Sequence, residues 1–246
     1  NLIIFEDNCE SLGSKYKNKN LGTFGDFSTF SFFYSHQITS GEGGMVVCNN
    51  NEDYELLKTM RSHGWSRGLK RQKEIERKNN KLDPRFIFVN SGFNLRPTDI
   101  SASIGLSQFR RLKNFMRIRS LNCKKIINAL KKSKYWNNQF SFLKVNPHVK
   151  PSYFGFPILL NKRYLGKRKK YLEILDKFGV ETRPIISGNF LDQPSIKLFN
   201  LNKKNKIMRN SKEISDRGFF IGLHTKPIYQ NQINKLTKLL LSIDEI

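Results

Sequence analysis

The stretch that most limits the fold runs from Phe27 to Cys48. Phe27 to Phe33 (FSTFSFF) is rich in aromatic and β-branched residues and predicts a strand. Gly41-Glu42-Gly43-Gly44 makes a tight turn, and Met45 to Cys48 follows as a second short strand. Residues 1–6 read as a further, buried strand, a short apolar run ending in two acids. Asp7 then stands at a strand's carboxyl end, where open α/β sheets gather their ligand-binding groups. The chain therefore starts as an α/β domain.

Helices and further strands follow. Asp53 to Arg61 predicts a helix that stops near His63-Gly64. Residues 66–90 are highly charged without apolar periodicity and read as a long surface loop, a type of segment that tends to be functional. Pro97 opens a long helix in which Ile100, Ile104, Phe109 and Leu112 keep helical spacing toward Leu130. After Pro147 and Pro151, Phe154 to Leu160 predicts a strand, 163–178 a basic amphipathic helix and Val180 to Arg183 another strand. Residues 207–216 and 230–241 predict two more helices. A domain boundary is expected near 115–120, dividing the chain into 1–117 and 118–246. The chain opens directly on a core strand, without Met, and reads as the carboxyl-terminal part of a larger fold.

Composition narrows the function classes. The 246 residues carry 44 Lys+Arg against 20 Asp+Glu, a formal net charge of +24. A basic chain of this kind suits a nucleic-acid binder. Here, however, the charge is spread over 67–81, 110–134, 162–170 and 203–212, which favours a Lys/Asn/Ile bias on solvated faces. A field attracting anionic small molecules is the second reading and nucleic acid the third. No apolar run approaches the ~18 residues of a membrane span. Cys9, Cys48 and Cys123 are too few and too scattered for a disulfide framework or a CxxC metal site, and favour a reducing, cytoplasmic setting.

Four stretches stand out together: EDNCESLG (6–13), FSFFYSHQITSGEGG (30–44), SGFNLRPTDISASIG (91–105) and TRPIISGNF (182–190). In this order they resemble the sugar aminotransferase/dehydratase family of the aspartate-aminotransferase fold (fold type I), which uses pyridoxal phosphate. The resemblance implies part of the large cofactor domain followed by a smaller C-terminal α+β domain. In that family a lysine in the segment S-F-x-x-x-K-x-I-T-x-G-E-G-G holds the cofactor covalently. Here that position is His36. Imidazole has no primary amine and cannot tether the cofactor, but it moves protons near neutral pH, with an ordinary pKa of about 6.5.

Members with this exchange are 3-dehydratases of nucleotide-linked 4-keto-6-deoxy sugars. They hold pyridoxamine phosphate without a covalent bond, and the histidine acts as the base. By position, Asp7 matches the acid that pairs with the pyridinium nitrogen, Glu10 a residue facing the ring, and Ser31 a hydroxyl on the cofactor phosphate. Asn94 matches a residue reaching the neighbouring subunit's cofactor, which implies a homodimer. His63 and Arg67, with Arg183, Ser187 and Asn189, are candidates for the sugar or pyrophosphate of the substrate, since Arg bonds phosphate in bidentate fashion. His224 reads as a surface or core residue and His148 as loop.

One kind of Lys-to-His dehydratase uses a cysteine-bound iron–sulfur cluster. Residues 64–122 contain no cysteine, so no cluster or other metal is expected. The other kind restores its cofactor with glutamate as amino donor. The likeness is nearest to members acting on GDP-linked 4-keto-6-deoxymannose in deoxysugar and polysaccharide synthesis. Relatives carry upstream a phosphate-cradling turn and a ring-stacking aromatic residue absent from these 246 residues, so the polypeptide as given is expected to bind cofactor poorly and be inactive. An inactive or binding-only homologue is the alternative reading, and a basic nucleic-acid-binding protein the remote one.

Overall fold

The computed structural model describes residues 2–201 and 207–246. The basic stretch 203–212 therefore lies partly outside the described residues. In chain order the elements are β1 (Phe5–Asp7), β2 (Lys15–Tyr16), β3 (Lys19–Asn20), β4 (Phe27–Ser31), β5 (Gly44–Cys48), α1 (Asn51–Arg61), α2 (Gln72–Lys78) and α3 (Asp99–Lys132). Then come β6 (Phe140–Phe142), β7 (Val149–Lys150), β8 (Gly155–Leu160), α4 (Arg168–Lys177), β9 (Thr182–Arg183), α5 (Pro194–Leu198), α6 (Arg209–Arg217), β10 (Gly218–Gly222) and α7 (Gln230–Leu241). The chain divides into two compact units, 1–112 with 148–150 and 113–147 with 151–246.

In the first unit, β4 is central to a three-stranded sheet ordered β1-β4-β5. β1 runs parallel to it, with Phe5 opposite Phe27 and Asp7 opposite Thr29. β5 returns antiparallel, with Ser31 opposite Gly44. The carboxyl ends of β1 and β4 thus lie side by side. β2, β3 and β7 form a second small sheet. Asn50 caps α1: its side chain accepts a hydrogen bond from the Asp53 N–H at 2.8 Å, with Glu52 and Asp53 in the first turn and Lys58 and Arg61 in the last.

Two expectations for this unit are corrected. The first strand covers only Phe5–Asp7 and is not buried: Leu2 is 92% exposed and Phe5 67%. β1 is an edge strand of its sheet, and the Phe5 ring stacks on Phe27 of β4 at 5.0 Å. The supposed loop 66–90 contains α2 and a 3-10 turn at Pro84–Phe86. Helix α2 buries no residue, so it shows no apolar stripe; Lys78–Glu74 (2.7 Å) and Gln72–Glu76 (2.8 Å) contacts one turn apart support it instead.

The second unit is built on an antiparallel sheet ordered β6-β8-β10-β9. Ile126 and Leu130 of α3, Phe156 and Leu160 of β8, Tyr171 of α4 and Phe219 of β10 join one buried core. Each such side chain contributes about 1.5–3 kcal/mol by leaving water. The Tyr171 hydroxyl donates to the Leu240 carbonyl at 2.7 Å, satisfying the one polar atom its ring carries inside. The expected helix 163–178 is a 3-10 turn at Lys162–Tyr164 and then α4, divided at Gly166, whose φ is +83°. The expected strand 180–183 shortens to Thr182–Arg183, and the helix expected from 207 starts at Arg209.

Candidate active site

The site in the first unit starts from the parallel register. Asp7 ends β1, and its Oδ1 accepts hydrogen bonds from the Cys9 N–H (3.1 Å) and the Thr29 hydroxyl (3.5 Å). Its carboxylate is exposed. The next residue, buried Asn8, donates to Ser28 Oγ at 2.8 Å and ties the two strands together. Glu6 points the other way along the alternation of a strand. Its carboxylate accepts N–H bonds from Gly22, Phe24 and Gly25 at 2.5–2.7 Å. Burial opposes its ionisation, yet these three donors hold it below the usual glutamate range. Burial, then the charges of Asp7 and Glu10, push the Cys9 thiol upward.

Beyond β4 the chain forms the loop 32–43. The Phe32 N–H bonds the Gly43 carbonyl at 2.8 Å, and the Ser40 N–H bonds the Phe32 carbonyl at 2.9 Å. Gly41 has φ +83°, which favours glycine there, and a Cβ on Gly43 would displace the Ser40 hydroxyl, 2.4 Å away, from its place in the turn. This closure fixes His36, whose N–H bonds the Phe33 carbonyl at 3.1 Å and whose ring meets Phe33 edge-on. His36 Nε2 lies 3.8 Å from Glu10 Oε1, and buried Gln37 donates its amide to the Glu10 carbonyl. The Ser31 hydroxyl accepts the Phe33 N–H at 3.2 Å. Asp7, Glu10, Ser31 and His36 therefore gather at the carboxyl ends of two adjacent parallel strands.

A second group forms where residues 62–66 run against 87–94. The bridges are Ser62 with Asn94 and Trp65 with Phe88. Gly64 has φ +86°, and a Cβ there would sit 1.6 Å from the Asn90 carbonyl oxygen, so this close approach admits only glycine. His63 itself has φ +60°, an uncommon value outside glycine. The Trp65 indole stacks on Phe88 (5.9 Å, 24°), meets Phe86 at 6.1 Å and takes the edge of His63 at 5.9 Å. Arg67 and Arg96 lie over the same indole, 4.9 and 5.5 Å from its centroid. His63, Arg67 and Asn94 are exposed.

The remaining candidates belong to the second unit. Arg183 pairs with Glu181 at 2.5 Å, both largely exposed. Ser187 is half-buried in a loop where Ile186 has φ +46° and Gly188 φ +60°. Asn189 is buried, and its Oδ1 finds no hydrogen-bond partner among the described residues. His224 is exposed, and its Nδ1 accepts the Lys226 N–H at 2.9 Å. The His148 carbonyl accepts the Lys17 N–H at 2.8 Å beside β7, and its ring meets Tyr16 edge-on.

The arrangement of β1, β4 and the 32–43 loop accompanies a match over residues 1–239 to the DegT/DnrJ/EryC1/StrS aminotransferase family. The chain belongs to this family. Its similarity to GDP-4-keto-6-deoxy-D-mannose 3-dehydratase of Escherichia coli O55:H7 is 34% identity over 242 residues, covering 97% of this chain and 60% of that protein. The enzyme of the same name from Yersinia pseudotuberculosis is 32% identical with the same coverage. The structure of the E. coli enzyme with bound hydrated PLP is similar at a TM-score of 0.81 and 32% identity, over 97% of this chain and 60% of that one. Helicobacter pylori PseC, an aminotransferase of pseudoaminic acid biosynthesis, is similar at a TM-score of 0.80 and 26% identity. The fold is thus that of type I pyridoxal-phosphate enzymes, and the chain spans about 60% of the length of these curated relatives.

Asp7 and Ser31 suit the family's cofactor. Asp7 Oδ1 accepts from Cys9 and Thr29, and its exposed carboxylate keeps acceptor capacity for a pyridinium N–H. Trp65 and Arg96 escaped the sequence reading, although Trp65 lies between His63 and Arg67 and Arg96 two residues after Asn94. Among the described residues no three His, Cys, Asp or Glu side chains are placed to hold a metal, and no helix is long and apolar enough to cross a membrane.

Proposed function

We propose that this chain is the greater part of a pyridoxamine-phosphate-dependent 3-dehydratase acting on a nucleotide-linked 4-keto-6-deoxy hexose, with GDP as the nucleotide. The observation that carries it is His36 at the family's lysine position, beside Glu10 and beyond the β4 end that Asp7 adjoins. When bound, pyridoxamine phosphate supplies an amine for the sugar ketone and a ring that withdraws electrons. Asp7 accepts the pyridinium N–H and keeps the nitrogen protonated. Ser31 and, from the neighbouring subunit of a homodimer, Asn94 bind phosphate oxygens. His36 takes up and returns a proton at a ring nitrogen, as general base and acid. Glu10 Oε1, 3.8 Å from Nε2, supplies the countercharge when the imidazole is protonated.

His63, Arg67, Arg183, Ser187 and Asn189 are proposed substrate contacts, and glutamate the amino donor. The reaction is cytoplasmic, and no iron–sulfur cluster takes part. Residues 1–117 serve as the cofactor domain and 118–246 as the small domain. In keeping with this reading, GDP-4-keto-6-deoxymannose-3-dehydratase has been solved as a His-to-Asn mutant with bound GDP-perosamine and, in a separate structure, with a trapped PLP-glutamate geminal diamine. In the whole protein, His36→Asn should lower C3 deoxygenation at least ~100-fold, the usual weight of a general base, and leave cofactor affinity unchanged. Product mass and cofactor absorbance are the measurements. Undiminished deoxygenation by the variant would sink the assignment.

A further inference from the structure

Arg67 and Arg96 reach one indole from two separate stretches of chain, and neither has an ion-pair partner among the described residues. Both guanidinium groups lie about 5 Å from the same centroid, so their charges are within about 10 Å of each other, near a Debye length at ordinary ionic strength. Ordinary salt largely screens their mutual repulsion at that spacing, so both stay charged and open to one polyanion. The support beneath them is rigid. Trp65 is stacked on Phe88, flanked by Phe86 and fixed by the ladder that the Ser66 N–H to Ile87 carbonyl and Val89 N–H to Gly64 carbonyl bonds provide. The indole N–H is buried and bonds nothing among the described residues, so packing alone orients the ring.

We propose that Trp65 is a positioning residue holding Arg67 and Arg96 as a two-armed clamp for a diphosphate. The ligand class rests on the nucleotide-sugar reading above, and the geometry adds Arg96 and Trp65 to it. Stacking spreads a guanidinium's flat face over the indole and leaves its N–H edge free to bond phosphate oxygens. A diphosphate offers two such oxygen sets on one molecule, whereas a nucleoside offers none. Lysine would keep the charge but lose the flat group that stacks.

The test is calorimetric titration of the whole, cofactor-loaded protein with GDP, inorganic pyrophosphate and guanosine. Arg67→Ala and Arg96→Ala should each weaken GDP and pyrophosphate about 10- to 100-fold, the range for a charge-assisted hydrogen bond, and leave guanosine unchanged. Trp65→Leu should weaken both phosphates similarly, and Arg96→Ala added to it should cost little more, because the arm is already loose. Arg96→Lys, which retains the fold if Trp65→Leu does not, should recover only part of the affinity. GDP and pyrophosphate binding unchanged in Arg96→Ala overturns the clamp, as does full additivity of the Trp65 and Arg96 changes. Pyrophosphate binding that depends on both arginines, in a protein that does not deoxygenate a 4-keto-6-deoxy sugar nucleotide, keeps the clamp and removes the enzymatic reading. Turnover that is insensitive to Arg96→Ala keeps the reading and removes the clamp.

Discussion

Glu6 and Asp7 stand next to each other in the sequence, and strand alternation sends them to different tasks. Asp7 stays exposed at the strand end, while Glu6 turns to the 22–25 segment and accepts three backbone N–H bonds. Glu6→Gln keeps one acceptor oxygen but sets an NH2 against one of the three N–H donors and removes the charge, so it should cost about 1–3 kcal/mol in denaturant unfolding at pH 7. The sign of the pH dependence follows from the lowered folded-state value. The stabilisation is complete above the unfolded glutamate's pKa, about 4.3, and is lost as pH falls through the lower folded value. The gap between wild type and Glu6→Gln should therefore close in acid. A gap that persists unchanged to pH 2 would show that the charge is not what Glu6 contributes. His36 teaches the complementary lesson: its identity was visible in the sequence, but its neighbour Glu10, 26 positions earlier, was paired with it only through the β1–β4 register.

Elements were legible where packing imposed a period. α3 and α7 each present an apolar stripe, and their spans follow the spacing that predicts them closely. α2 was missed because a helix that buries nothing carries no stripe, and its support comes from contacts one turn apart. β6 and β10 were missed because short strands in an antiparallel sheet are specified by their partners: Phe140 by Leu160, Phe219 by Ile158. The 62–66 segment depends on a different device, the closeness of Gly64 to the Asn90 carbonyl. Gly64→Ala places a Cβ where backbone already stands and forces a left-handed conformation, so a loss of about 2–4 kcal/mol is expected by thermal or denaturant unfolding. Because Trp65 rides on this turn, the same variant should also lose pyrophosphate affinity. Wild-type stability in Gly64→Ala would contradict the close approach.

For the molecule as a whole, the charge of +24 is shared among both units, with lysines and arginines on α2, α3, α4 and α7 rather than on one helix. A duplex-binding protein needs that charge aligned to phosphates every few ångströms. Duplex DNA should accordingly bind weakly, with an affinity that disappears by physiological salt in a mobility-shift assay, whereas GDP binding at the two-arginine site should survive. Nanomolar duplex affinity at physiological salt would reverse that ranking. Sequence alone determined the family, the strand–turn–strand around His36 and the residue type that replaces lysine, because these depend on local spacing and on what an imidazole can and cannot do. Only the tertiary structure decided that β1 lies parallel beside β4, that the charged segment 66–90 holds a helix, and that Arg67 and Arg96 meet on Trp65. Those outcomes depend on contacts between residues remote in the chain, whose register no local pattern encodes.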